Sequence, residues 1–107
     1  MVTKEKFNSF DLSKRYLIAA SDFARAASLL KKEMKDQAQH SLELGYTFLG
    51  YLFEDDPSLK HEFVSYEEGE RWLEEGEAQK IYDIHVKLME LAGFPLSKDQ
   101  SILQVYS

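Results

Sequence analysis

The chain predicts an all-α fold. It should be a compact helical bundle of three long helices, about 12–33, 36–53 and 66–92, with short helices near 57–63 and 98–105. Three observations carry that expectation. Apolar residues recur at helical spacing: Tyr16, Ala20, Phe23, Ala27, Leu30 and Met34 follow one another at steps of three or four. The stretch from Asp36 to Phe53 is apolar on nearly every side when wound as a helix, with Ala38, Leu42, Leu49 and Phe53 on one face and Leu44, Phe48 and Tyr51 opposite. A helix of that kind must be covered all round, which makes it the central member of a packed domain. Finally, helix-starting residues and a Gly-then-Pro stop punctuate the chain where these segments should begin and end.

Residues 1–10 read as an N-terminal tail with Phe7 and Phe10 tucked onto the domain, and 11–107 as a single domain. Asp11 suits the N-cap of the first long helix, because a carboxylate accepts from the free amide groups of the first turn. Ala19, Ala24 and Ala26 beside its stripe permit close packing, while Arg15, Asp22, Arg25 and Lys32 fall away from it. Lys31, Lys32 and Lys35 gather where cations suit the end of the helix dipole. No Gly or Pro divides this helix from the next. An unbroken helix over 12–53 would exceed ~60 Å at about 1.5 Å per residue, too long for a domain of this size. The break is placed near Glu33 to Asp36, where Asp36 and Gln39 resemble a capping box.

Asp56 before Pro57 reads as an N-cap with proline at the first helical position. Ser65 with Glu68 opens the third long helix. Its stripe is Ala78, Ile81, Tyr82, His85, Leu88, Met89 and Ala92. Gly93 suits a left-handed C-cap, with Phe94 packing back on Met89. Ser97 and Gln100 open the final short helix, which would bring Ile102, Leu103 and Val105 to the bundle. Within the third helix EEGERWL is followed by EEGEAQK, which puts Gly69, Trp72 and Gly76 on one face. That face predicts a binding surface with Trp72 as anchor and a homodimer.

Composition narrows the function classes. The chain has 107 residues, a net charge of −6 and no cysteine. Disulfides and thiolate metal ligands are therefore excluded, and a reducing compartment is permitted. No apolar run resembles a signal peptide or a membrane span, so the expected location is cytoplasmic, with no membrane partner. An acidic balance argues against nucleic acid, whose phosphates call for a basic face. It suits a basic protein partner or a divalent metal.

Asp36, His40 and Glu43 stand at i, i+4 and i+7 of one helix, and Glu67, Glu70 and Glu74 line another. Imidazole and carboxylates of facing helices can hold a transition metal, so Asp36, His40, Glu43, Glu70 and Glu74 form the candidate metal set. The competing reading is a solvated acidic face. His85, amid an apolar stripe, reads as a hydrogen-bonded core histidine, and His61 as exposed. Nucleophilic triads and phosphate loops have no matching motif.

The segment YLIAASDFARAASLLKKEMKDQAQHSLELGYTFLGYLF, Tyr16 to Phe53, resembles the opening helix pair of HEPN domains. Ala20, Asp22, Ala26, Ala27, Leu29 and Leu30 resemble their first helix; Ala38, His40, Leu44 and Leu49 resemble the second. HEPN ribonucleases are dimers carrying an Arg a few residues before a His. The resemblance implies an acid–base or phosphate-contacting role for His40 and a charge-stabilising one for Lys35. Lysine departs from the pattern, because it lacks the planar fork that grips phosphate at two points. Many HEPN-like proteins are non-catalytic partners, and this acidic chain fits that group better. The leading expectation is association without catalysis. The alternative is an enzyme of RNA or nucleotide processing built on His40 with Lys35 or carboxylates.

Overall fold

Apolar side chains at helical spacing leave each helix one stripe to bury, and the computed structural model, which describes residues 2–94, shows how the stripes meet. The elements in order are α1 (Lys4–Ser9), α2 (Leu12–Lys31), α3 (Lys35–Asp55), a 3-10 helix (Pro57–Glu62), α4 (Tyr66–Glu74) and α5 (Ala78–Leu91). No strand occurs among the described residues. The expected helix at 98–105 lies outside them.

Around the bundle α2 packs on α3 and α5, and α4 bridges α3 and α5, so the four form a ring. The expected central helix, α3, does touch four other elements: α1, α2, the 3-10 helix and α4. Small residues bring α2 close to its neighbours: Ala19, Ala20, Ala26 and Ala27 are fully buried. On α3, Gly45 makes room for the Phe23 ring; a Cβ there would lie 2.9 Å from it. The Cα radius of gyration is 13.2 Å, close to the value of about 13 Å for a compact chain of 100 residues.

Most caps follow their residue types. Asp11 accepts from the Lys14 amide, Asp56 from Ser58 and Ser65 from Glu68. The break between α2 and α3 falls where expected, with a different cause. Met34 is the N-cap and offers no side-chain bond. The chain instead turns through Glu33, at φ 62°. Its amide donates to the Leu30 carbonyl and that of Met34 to Leu29, the paired bonds of a Schellman motif.

Two expectations are corrected. The third long helix, 66–92, is two helices. α4 ends at Glu74 and α5 starts at Ala78, with Gly76 at φ 75° between them. Amides of Gly76 and Glu77 donate to Leu73 and Trp72 in the same motif, which satisfies the last carbonyls of α4. The second correction concerns 1–10, where residues 4–9 form α1 rather than a tail. Thr3 caps it, and Phe7 is fully buried, stacked on Phe48 at 5.2 Å between ring centroids. Lys4 pairs with Glu54, and Arg15 joins the Phe10 carbonyl to Asp55.

Candidate functional site

Residue order puts a run of glutamates on α4, and the docking of that helix decides which of them meet α3. Gly69 faces α3, where a Cβ would come within 2.8 Å of the Tyr46 hydroxyl. Tyr46 itself donates to the Val64 carbonyl at 3.1 Å, and its ring meets Phe23 and Tyr66 edge to face. Burial, followed by the nearby Glu68 and Glu67 carboxylates, holds the Tyr46 hydroxyl protonated well above the ordinary phenol range.

Beside this contact lies a polar cluster between α3 and α4. The Gln39 amide donates to Glu70 at 2.8 Å, to the Tyr66 hydroxyl at 3.2 Å and to Glu43 at 3.4 Å. The Tyr66 hydroxyl donates to Glu70 at 3.1 Å and approaches Glu43 at 3.4 Å. Its pKa is pushed up to about 12, by desolvation first and then by Glu70 and Glu43, with Gln39 acting the other way. Two carboxylates of the candidate metal set, Glu43 and Glu70, are thus brought together, with a phenol and an amide already bonded to them.

The rest of that set stays apart. Asp36 is exposed on the first turn of α3, and Glu74 is exposed at the end of α4. Among the described residues no three His, Asp or Glu side chains are grouped to hold a metal. Lys35 donates to the Glu74 carbonyl at 3.3 Å, which ties the start of α3 to the last turn of α4. It makes no bond to His40, which is exposed. The group that His40 does influence is Asp22. Expected to fall away from the packed stripe, Asp22 is 6% exposed. Burial raises its pKa, while Arg25, at 3.5 Å, and then His40 act in the opposite direction. The spacing that sets Asp22 off the stripe does not show that burial.

His85 is a hydrogen-bonded core residue as expected, with Nδ1 2.9 Å from the Ala20 carbonyl and its ring beside Tyr82. His61 is exposed. The three residues of the expected binding face part company. Gly69 is covered by Tyr46, Gly76 ends the helix, and Trp72 alone remains half-buried at the surface.

Away from the polar cluster, α4 and the turn after it carry Glu67, Glu68, Glu74, Glu75 and Glu77, against Arg71, which pairs with Glu68. Next to this ridge, Phe63, Val64, Trp72 and Ile84 form the apolar part of a shallow groove of about 200 Å³. No helix among the described residues is long and apolar enough to cross a membrane. Comparison of the chain with known protein families, with curated proteins and with solved structures finds no match.

Proposed function

We propose that this protein works by association rather than catalysis, as an acidic helical partner of inhibitor, immunity or antitoxin type that covers a basic surface of another protein. One observation carries the reading. Glu67, Glu74 and Glu75 stand exposed and, among the described residues, unpaired on α4 and its C-cap, on a helix whose inner side, with Gly69 and Glu70, is already committed to α3. A surface of one sign steers an oppositely charged partner and rejects others. The cysteine-free sequence is consistent with a reducing, cytoplasmic setting for that role. The alternative, a HEPN-like or metal-dependent RNA-processing enzyme, draws no support from the exposed and separate positions of His40 and Lys35.

The test is a calorimetric titration of the full chain with a synthetic lysine-rich peptide at low and high salt. Binding should weaken as salt screens the surface, whose Debye length is about 10 Å at 0.1 M. Glu67→Gln, Glu74→Gln and Glu75→Gln together should abolish it. Binding that ignores these substitutions would remove the reading.

A further inference from the structure

We propose that the groove beside α4 is the anchor subsite of this acidic surface, taking one large apolar side chain from a basic segment of the partner protein. The inference rests on the association reading above and adds what the partner must carry. Phe63, Val64, Trp72 and Ile84 give the groove an apolar lining, and its size of about 200 Å³ suits a single side chain rather than a whole helix. Trp72 makes no hydrogen bond through its indole N–H to any described residue, so that donor is open to a backbone carbonyl of an incoming segment.

Charge decides which segment. Two lysines stand at the rim, Lys80 over the Trp72 ring and Lys87 over the Phe63 ring. Both are answered within the chain: Lys80 by Glu77 at 3.7 Å, Lys87 by Glu62 at 3.8 Å and by its carbonyl at 2.7 Å. Asp83, bonded only to the neutral Gln79 amide at 3.0 Å, is left as the uncompensated rim charge. Glu75, exposed and three residues along the helix from Trp72, adds to it, so the surround is complementary to a cation-bearing partner. An apolar anchor in a desolvated pocket ringed by polar contacts is the usual arrangement of an interface hot spot.

Trp72 is the only tryptophan of the chain, so its fluorescence reports on the groove. The probes are two helical peptides of lysine and alanine without aromatic residues, one with a central leucine and one with alanine there. The leucine peptide should shift the Trp72 emission to the blue and bind about tenfold tighter than its alanine counterpart, a difference of about 1.4 kcal/mol. Val64→Ser should remove that advantage and leave binding of the alanine peptide unchanged. Equal, salt-sensitive binding of both peptides with an unmoved emission would overturn the anchor subsite and leave the acidic-partner reading standing. Binding of neither would overturn both. An emission that moves on dilution alone would give the groove to a second copy. One that moves on Ile102→Ser with Leu103→Ser, before peptide is added, would give it to the chain's own C-terminal segment. Either result overturns the proposal.

Discussion

The α2–α3 and α4–α5 hairpins turn by the same pair of hydrogen bonds with different residues at the pivot. Glu33 occupies the left-handed position in the first and Gly76 in the second. Gly93, after α5, repeats the glycine version. Glycine adopts that conformation without a Cβ clash, whereas a glutamate held there costs roughly 1 kcal/mol or more. The first turn tolerates the cost because the helices on either side bury an extensive apolar seam. The second joins a short acidic helix to the bundle, and its pivot residue is unstrained. Packing dominates in one hairpin and backbone chemistry in the other.

Core truncation gives the largest separation between them. Leu49 on α3 is fully buried and Leu73 on α4 is 2% exposed. Leu49→Ala should cost about 4 kcal/mol of unfolding free energy and Leu73→Ala about 2, because α4 has fewer neighbours and can settle into the space left. Urea denaturation measures both, and equal losses would break the distinction. Gly76→Ala comes next. It should destabilise by about 1–2 kcal/mol through the left-handed backbone alone, since nothing lies within 4 Å of the added Cβ. Glu33→Gly should do the reverse and stabilise by about 0.5–1 kcal/mol, the relief of strain being partly offset by the freer unfolded chain. A neutral or negative result there would mean that the Glu33 side chain contributes something beyond occupying the turn.

The smallest effect belongs to the joint between the hairpins, where His85 of α5 meets the Ala20 carbonyl of α2. Burial lowers the His85 pKa below its ordinary 6.5, and the Ala20 bond offsets that in part. Between the two values the unfolded chain binds a proton that the folded chain does not. This contribution to stability therefore grows as pH rises through the window and is lost as pH falls below 6.5. His85→Gln should flatten the fall in the urea midpoint between about pH 7 and pH 5, the range in which histidine titrates. Asp22 acts in the opposite sense and at lower pH, because its carboxyl is raised from 3.8.

The helical stripes, the caps at Asp11, Asp56 and Ser65 and the core place of His85 were legible in the sequence. The break at Glu33 was placed from chain length, but its mechanism was misread. Asp36 and Gln39 form no capping box, and Gln39 is spent on Glu70 and Tyr66 instead. The break at Gly76 was missed because Ser65 and Gly93 were read as the two ends of one helix, although the apolar stripe starts only at Ala78. Nothing in the spacing of Gly69, Trp72 and Gly76 shows that Tyr46 claims the first and a reversed backbone the last.

What the sequence alone determined is the set of properties that depend on residues a few positions apart: helix type, most helix starts and the buried stripes. Local hydrogen bonds and the helical period act within one or two turns, so residue order is enough to reveal them. Tertiary structure decided which groups meet: the pairing of Glu43 with Glu70, the burial of Asp22, the exposure of His40 and the groove beside Trp72. Those outcomes depend on how α4 and α5 settle against α2 and α3, a matter of contacts between residues far apart in the chain, which side-chain periodicity does not encode.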